Sequence, residues 1–293
     1  MTRFLFKLLP IAAMFVTCGT AYAVTCTIGV TSLTAIAFDP TTALQLTGTV
    51  SGTCTPTSNA EASTPPTIYI GINLGGRTPR SMIRSGGTEL VSYEINKSAG
   101  AGIWNEAAGT AVLTTNGGLL FTMVVGNKNT AQSYSHTFYL NIPAQPTDPV
   151  GTYNNPTITA KILLLNSTGA SVGTAATFGL TATISPMCRF STNPSTLNLN
   201  YTSFRTTAAT GTSAFSLNCT SGTSYSQAVS PATGTALGVS YSLALNATTG
   251  LVGNAANQSY TITGTAALGQ SGTCATSGTL CSATNPHSIT VTF

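Results

Sequence analysis

The chain has 293 residues, of which 42% are hydrophobic and only 5% are charged, with a formal net charge of +4. Soluble domains usually carry about 25% charged residues. The positive excess is too weak and too scattered for a nucleic-acid footprint, so no nucleic-acid partner is expected. Thr, Ser, Gly and Asn dominate the polar positions, which is typical of β-rich surface polymers and adhesins.

The N-terminus has the organisation of an export signal. Two basic residues precede a short apolar run, and Ala21-Tyr22-Ala23 is a small-residue cleavage site. Removal of residues 1–23 would start the mature chain at Val24. Cys18 leaves lipidation open as an alternative way of ending the signal. No later run reaches the ~18 apolar residues of a membrane helix, so the mature protein is expected to be soluble or surface-attached.

Six of the seven cysteines lie after this signal, and an even number in an exported chain indicates three disulfides. Many pairings are possible, and the spacing favours Cys26–Cys54, Cys188–Cys219 and Cys274–Cys281. The second of these pairs repeats the arrangement of the first, which indicates an internal duplication. Zinc is the competing interpretation, but there is no Cys-x-x-Cys and His136 and His287 lie far apart in the sequence. No metal or other cofactor is expected.

Residues 24–185 contain a series of segments in which hydrophobic and polar residues alternate with the period of a β-strand. These segments are 44–54, 68–74, 91–95, 119–125, 138–142, 158–164 and 178–184. Turn-forming residues fill the gaps, and no segment has a helical period. The prediction is an all-β fold of two immunoglobulin-like antiparallel sandwiches, with a boundary between residues 185 and 186.

Residues 186–293 contain fewer such segments than the about seven strands of an immunoglobulin-like sandwich. They are 197–201, 215–219, 225–229, 239–245, 260–262 and 289–293. In the last one Ile289, Val291 and Phe293 alternate with polar residues, and nothing follows that could cover its edge. Natural proteins avoid an exposed hydrophobic edge. The second sandwich is therefore expected to lack its final strand.

Catalysis is not expected from this sequence. His136 lies in a predicted strand and His287 precedes one, so each is interpreted as a sheet residue and not as a general base. Residues 186–293 contain no Asp or Glu, which removes carboxylate acid–base chemistry there. A cluster of three arginines is interpreted as a solvated loop: Arg77, Arg80 and Arg84. The sequence therefore predicts that the protein is not an enzyme.

Several motifs resemble the spore coat protein U domain, which subunits of archaic chaperone–usher pili use. In the second half they are Cys188, Leu197-Asn198-Leu199-Asn200-Tyr201, Ser216-Leu217-Asn218-Cys219, Gly238-Val239-Ser240-Tyr241-Ser242-Leu243, Gly269-Gln270-Ser271-Gly272-Thr273-Cys274 and Ile289-Thr290-Val291-Thr292-Phe293. The first half matches more loosely, through Cys26, Phe38-Asp39-Pro40, Cys54, Trp104, Ile142-Pro143-Ala144 and Gly151-Thr152-Tyr153. It departs from the family in a longer insertion at residues 55–66 and an extra strand near Phe178.

In that family a pilin lacks its final strand and borrows one from the next subunit, which is a case of β-strand addition. The resemblance implies a groove that accepts a strand from a periplasmic pilus chaperone and then, at an outer-membrane usher, from the next pilin subunit. The residues expected to line this donor-strand groove are Leu199, Leu217, Leu243, Ile289, Val291 and Phe293. Only Val24 and Thr25 precede Cys26 in the predicted mature chain, too few to span a groove at about 3.3 Å per residue. The chain is thus expected to accept a strand without donating one, and to stand at the pilus tip.

Tip subunits of archaic pili resemble this plan, with an adhesive domain (here residues 24–185) followed by a pilin domain (here 186–293). Exposed hydrophobic loops bind surfaces in such subunits, which implies that the loops around Ile103, Trp104, Leu119 and Leu120 bind an unidentified surface or receptor in attachment and biofilm formation. A core position for Trp104 is the alternative. The expected location is the periplasm during assembly and then the cell surface, as a fimbrium.

Two other functions remain open at this point. The first is a secreted spore-coat or matrix protein made of two self-contained sandwiches. The second is a carbohydrate-binding module, against which the single Trp and the lack of an aromatic platform argue.

Overall fold

The computed structural model describes residues 24–59, 67–72, 79–99, 101–103, 119–122, 127–164, 173–274 and 280–293. The predicted signal peptide (residues 1–23), Arg77 and Trp104 lie outside these ranges. The elements that lie wholly within them are 21 β-strands, in agreement with the predicted fold class. No helix in the described part is long and apolar enough to span a membrane.

The strands fall into two groups, which we call the first and the second sandwich. The first consists of β1 (Val24–Cys26), β2 (Gly29–Val30), β3 (Leu33–Phe38), β4 (Leu44–Pro56), β5 (Thr67–Ile72), β6 (Ser81–Arg84), β7 (Leu90–Ser92), β8 (Glu94–Ser98), β9 (Ala101–Ile103), β10 (Leu119–Thr122), β11 (Gln132–Ile142), β12 (Gly151–Leu164) and β13 (Ala176–Ile184). The second consists of β14 (Cys188–Thr192), β15 (Ala209–Cys219), β16 (Ser224–Ser230), β17 (Thr233–Ala236), β18 (Val239–Leu245), β19 (Leu251–Val252), β20 (Asn257–Ala266) and β21 (Ser288–Thr292).

The first sandwich has two sheets, and its own last strand completes one of them. One sheet has the order β1-β4-β11-β8-β9, with β2 also on β4; the other has the order β10-β5-β12-β13-β3, with β6 attached to β12 and β7 attached to β6. β13 lies between β12, to which it is antiparallel, and β3, to which it is parallel. Its inward side chains are at most 2% exposed: Phe178, Leu180, Ala182 and Ile184. The core of this sandwich is closed by the chain itself.

Two expectations for the first half need correction. The pair β13–β3 is parallel, so the sandwich is not purely antiparallel. The predicted strand 91–95 is two strands, because β7 pairs with β6 in one sheet and β8 pairs with β11 in the other. Val91, Tyr93 and Ile95 are all buried. The alternation therefore continues through the corner where the chain changes sheets.

The second sandwich has a five-stranded sheet, β14-β15-β20-β18-β17, and a three-stranded sheet, β19-β16-β21. The sequence pattern missed β14, β17 and β19, which are short and largely polar or exposed. It predicted a strand at 197–201 that does not form, because residues 193–200 have no ladder partner. Counting strands was thus a wrong basis for expecting an incomplete sandwich; the evidence on that point comes from edges and burial.

The structure joins the three cysteine pairs that the spacing favoured: Cys26–Cys54, Cys188–Cys219 and Cys274–Cys281. The first two pairs are direct neighbours across the β1–β4 and β14–β15 ladders. Each therefore ties the opening strand of a sandwich to the long strand beside it, which limits the freedom of the unfolded chain.

Candidate functional site

The second sandwich has an open edge, by which we mean the side of β21 that does not face β16. β21 pairs with β16 from Ser226 opposite Thr292 to Ser230 opposite Ser288. No other described strand pairs with β21. Unpaired backbone N–H and C=O groups at such an edge are a template for another strand.

Burial is incomplete along the same strand. Ile289 and Val291 face inward but are only half-buried, and Phe293 is exposed. Six hydrophobic residues of this core are buried, and the rest of the cluster is only partly buried. Because the inward residues of β13 are almost fully covered, the same alternation in β21 indicates a core that lacks part of its cover.

Phe190 shows where the cover is missing, and the sequence analysis did not single it out. It lies opposite the buried Leu217 and so points inward. Its ring packs at a tilt against Phe215, with 5.8 Å between the ring centres, and Phe215 in turn lies 5.6 Å from Tyr260. Phe190 is nevertheless 39% exposed. A signal was available, since Phe190 follows Cys188 at strand spacing on the same face.

Residues 193–200, which we call the crossing segment, run over the inner face of the five-stranded sheet. They pass where Gly211 and Gly264 are direct neighbours in the β15–β20 ladder. A Cβ atom at Gly211 would lie 2.2 Å from the carbonyl oxygen of Asn198, and one at Gly264 would lie 2.7 Å from Leu197 Cδ2. Two glycines side by side therefore allow the segment to lie against the sheet.

The predicted groove residues occupy distinct places around this opening. Leu217 is fully buried in the floor, and Leu243 packs beside Gly264 on the inner face. Ile289, Val291 and Phe293 follow the open edge, and the half-buried Leu199 belongs to the crossing segment. In the predicted groove the crossing segment, which lies against the five-stranded sheet, would form one wall. That these residues bind a strand stays a prediction.

A hydrogen-bonded group holds the start of β21 to both sheets. His287 Nδ1 lies 2.7 Å from the carbonyl oxygen of Pro231, so this nitrogen donates. His287 Nε2, 2.8 Å from the Tyr241 hydroxyl, is then the acceptor. Asn285 Nδ2 also donates to the Tyr241 hydroxyl, at 2.7 Å. His287 is thus a satisfied structural residue, as interpreted from the sequence, and it sets the position of the open edge.

The floor beneath the open edge is uncharged. The Tyr225 hydroxyl is hydrogen-bonded to Gln258 at 3.1 Å and to the Tyr260 hydroxyl. Burial, followed by the bond to Tyr260, raises the pKa of Tyr225 above its ordinary value, so the phenol stays neutral. Among the described residues of this floor, an occupant would meet apolar side chains, neutral phenol and amide groups and backbone groups.

The sequence profile of the Spore Coat Protein U domain matches residues 11–161, just over half of the chain. The chain belongs to the spore coat protein U domain family. The match lies in the first half, whereas the sequence motifs had made the second half the better one. No curated protein matches the chain significantly.

Solved structures similar to this family member include the CsuC–CsuE chaperone–tip adhesion subunit pre-assembly complex from archaic chaperone–usher Csu pili of Acinetobacter baumannii, with 15% identity over 92% of this chain and 99% of that one and a TM-score of 0.42. The chaperone–tip adhesin complex of CFA/I fimbriae biogenesis has 11% identity over 94% of this chain and 86% of that one, with a TM-score of 0.30. A family 123 glycoside hydrolase from Clostridium perfringens has 12% identity over 55% of this chain and 27% of that one, with a TM-score of 0.28.

The predicted adhesive residues of this spore coat protein U domain chain lie in or next to edge strands. The backbone of Ile103 ends β9, which is at the edge of its sheet. Leu119 and Leu120 begin β10, an edge of the opposite sheet. Their side chains, and all of Trp104, lie outside the described residues. Surface binding by these residues stays a prediction.

The described residues of this family member contain no group of three or more side chains that could hold a metal ion. Burial lowers the pKa of the half-buried His136.

The interpretation of the arginines as a solvated loop is wrong for Arg80, which is 2% exposed and directs Nη1 to the carbonyl oxygen of Ile95 at 3.5 Å. Arg84 pairs with Glu89 at 3.3 Å. Because residue 80 leads directly into the buried start of β6, its side chain enters the core.

Proposed function

We propose that this chain is a structural and adhesive subunit of a chaperone–usher pilus and that it accepts a β-strand along the open edge of β21. The observation that carries this proposal is Phe190, which packs against Phe215 in the core and is still 39% exposed, in a sandwich whose β21 has one unpaired side. A strand laid beside β21 would form a new ladder and cover Phe190, Ile289 and Val291. Covering the exposed remainder of each side chain would stabilise the complex by roughly 1 kcal/mol.

The first sandwich supports this reading from inside the same chain. There β13 fills the place beside β12 that corresponds to the open edge of β21, with β3 on its far side. Its inward residues are apolar at every second position. The accepted strand is therefore expected to alternate apolar and polar residues in the same way and to carry no charge on its inward face. A closed, self-contained matrix protein would leave no such place open in its second half.

A partner is needed before assembly. An apolar, unpaired edge invites aggregation during export. A periplasmic chaperone that lends a strand would protect it until an outer-membrane usher exchanges that strand for one from the next subunit. This scheme requires export to the periplasm and final display on the cell surface as part of a fimbrium.

The tip position rests on the other end of the mature chain that we predict. Val24 to Cys26 already pair with β4, from Val24 opposite Pro56 to Cys26 opposite Cys54. These residues are thus engaged within their own sheet and are not free to enter a neighbour. Immunogold labelling of fibres is expected to find the chain only at fibre ends. Labels along the shaft would contradict the tip position and leave strand acceptance standing.

Attachment and biofilm formation are assigned to the first sandwich. We expect Trp104→Ala to reduce the attachment of fibres to hydrophobic plastic while the number of fibres per cell stays constant. A loss of fibres instead of attachment would identify Trp104 as a core residue. Leu119→Ala and Leu120→Ala in β10 test the other predicted adhesive residues in the same assay.

Strand acceptance is tested by capture from the periplasm. The tagged full-length chain, expressed in its own cells, is expected to co-purify with one chaperone, identified by mass spectrometry. Val291→Asp places a charge on the inward face of β21 and should abolish capture. Thr290→Asp places the same charge on the outward face of the same strand and should preserve it. A wild-type chain that purifies alone, as a stable monomer, would contradict the proposal.

A further inference from the structure

Two glutamines make the same contact in the two sandwiches. Gln145 Oε1 accepts from the backbone N–H of Ser92 at 2.8 Å, and its Nε2 donates to the carbonyl oxygen of Ser92 at 3.0 Å. Gln270 repeats both bonds with Ser240, at 2.7 and 3.0 Å. Each glutamine lies shortly after the strand that pairs with the disulfide-bearing strand, β11 in one case and β20 in the other. The two glutamines therefore mark equivalent ends of the sandwiches, which we call the glutamine ends.

A tight turn lies at each glutamine end. The turn of residues 39–42 precedes β4 and is closed by a backbone hydrogen bond of 3.1 Å; the turn of residues 202–205 precedes β15 and is closed by one of 3.2 Å. Gln145 N donates to a carbonyl oxygen of the first turn at 2.8 Å, and the carbonyl oxygen of Gln270 accepts from Phe204 N in the second turn at 2.8 Å. The two turns thus occupy corresponding positions.

The glutamine end of the first sandwich contacts the second sandwich. Arg189 Nη2, on β14, donates to Asp39 Oδ2 and to Thr41 Oγ1, both at 3.1 Å. Val150 N, just before β12, donates to the carbonyl oxygen of Ser221 at 2.9 Å. The turn and the segment that follows the glutamine together form a docking surface for the next folded body.

At the glutamine end of the second sandwich the corresponding surface is bare and apolar. Phe204 is 71% exposed and Leu268 is 59% exposed, with the exposed Leu237 nearby. Phe204 and Leu237 have φ angles of 58° and 50°, in the left-handed region that bulky residues rarely adopt. Backbone bonds to the Gly269–Thr273 stretch hold both loops in place. Strained residues that present large apolar side chains to solvent point to a binding role.

The same surface carries one cation without a counter-ion. Arg205 Nη1 donates to the carbonyl oxygen of Asn200 at 3.1 Å, and its guanidinium lies 5.9 Å from the centre of the Tyr201 ring. No ion pair of Arg205 occurs within the described part of the chain, and residues 186–293 contain no Asp or Glu. An exposed aromatic residue beside a positioned arginine is the composition of an interface centre.

The direction in which β13 runs indicates which folded domain would cover this surface. β13 runs antiparallel to β12, and its last residue, Ile184, pairs with Gly151 at the glutamine end of the first sandwich. The chain then enters the second sandwich at Cys188. A strand that lay beside β21 and ran antiparallel to it, as β13 does to β12, would leave the second sandwich at its glutamine end. The body that supplies the strand would then stand directly over Phe204.

We propose that the glutamine end of the second sandwich, through Phe204, Leu268 and Arg205, docks the folded body of the subunit whose strand enters the open edge. This rests on the proposed function and adds a second, separate contact to it. The partner surface is expected to offer an apolar hollow for Phe204 and a carboxylate for Arg205. The charges would be reversed relative to the contact between the two sandwiches, where the turn at the glutamine end supplies the acid and the second sandwich supplies the arginine.

Photo-crosslinking in cells that assemble the fibre tests the proposal on the full-length chain. A photoreactive phenylalanine analogue is placed at Phe204, at Thr290 on the outward face of β21, and at Val252, an exposed apolar control on β19, which lies on the other side of β16 from β21. We expect adducts with the same neighbouring subunit from positions 204 and 290, and none from 252. An adduct from 290 without one from 204 would overturn the docking surface alone. The absence of adducts from both would overturn the proposed function as well.

Dissociation rates give a second readout. The complex with the intact neighbouring subunit is expected to dissociate about tenfold faster for Phe204→Ser and for Arg205→Ser, the size of effect typical of an interface-centre residue. The complex with a synthetic peptide of that subunit's strand should dissociate at the wild-type rate, and Val252→Ser should change neither rate. Equal effects on peptide and intact subunit would show that the variants act through the groove, which overturns the docking surface.

Discussion

The contact between the crossing segment and β15 depends on the absence of a side chain at Gly211. In Gly211→Ala the new Cβ would lie 2.2 Å from the carbonyl oxygen of Asn198, where ordinary contacts begin at 3.4 Å. The obstructing atom belongs to the backbone, so no rotamer change can relieve the clash. The crossing segment would have to move away from the sheet by about 1 Å.

The size of the effect follows from three contributions. Overpacking of this kind costs about 1–3 kcal/mol. The bond from Ser213 Oγ to the carbonyl oxygen of Ser195, 2.6 Å long, would be lost with the movement, at about 1 kcal/mol. Replacing glycine by alanine returns about 0.4–1 kcal/mol through the unfolded state. The expected net loss of stability for Gly211→Ala is about 1–4 kcal/mol.

Hydrogen exchange read by mass spectrometry under native conditions is the suitable assay, because it reports on the two sandwiches separately. Protection should fall in the second sandwich of Gly211→Ala and stay unchanged in the first. Gly179→Ala is the control, since its Cβ would find its nearest neighbour, Pro156 Cα, at 3.7 Å. Wild-type protection in Gly211→Ala would refute the reasoning that the crossing segment is held against the sheet and forms a wall of the groove.

Three further results are expected. Arg189→Ala should loosen the junction by at most about 1 kcal/mol, because the ion pair is partly exposed. Burial raises the pKa of Asp39, but its hydrogen bonds and Arg189 lower it to a net value below the ordinary one. The junction should therefore hold above the ordinary pKa of Asp and weaken as the pH falls through the folded value, which small-angle scattering over a pH series would follow. Alanine at both Cys188 and Cys219 should lower the stability of the second sandwich by about 4 kcal/mol, since the bridge spans 31 residues, and calorimetry would measure the shift. Burial, with a smaller contribution from nearby charge, raises the pKa of Tyr153 to about 12. The stability that this phenol contributes should be complete below its ordinary pKa and disappear as the pH rises towards 12, and Tyr153→Phe should remove this dependence in alkaline unfolding.

Much of the fold could be predicted from local pattern. Alternation of apolar and polar residues located most long strands, including β4, β11, β13 and β21, because a sheet with one buried face imposes a period of two on the chain. Cysteine spacing favoured the pairs that the structure contains: the first two repeat the link between an opening strand and the long strand beside it, and the third closes a short loop. The open edge could also be suspected, from a last strand with an apolar face and no evident cover.

The remaining features depend on which strand lies beside which, and pairing partners are distant in sequence. The alternation does not reveal that residues 91–95 pass from one sheet to the other, because the inward residues on both sides of that corner face the same core. Nor does it reveal that residues 197–201 lie against a pair of glycines without pairing as a strand. It also does not reveal that Phe190 packs on Phe215 and stays partly exposed. The equivalence of Gln145 and Gln270 is visible only in three dimensions, because the backbone each one binds lies tens of residues away. In the strands that the alternation located, the sequence by itself determined which residues face inward; the tertiary structure decided what covers them, because cover comes from long-range pairing that a local period does not encode.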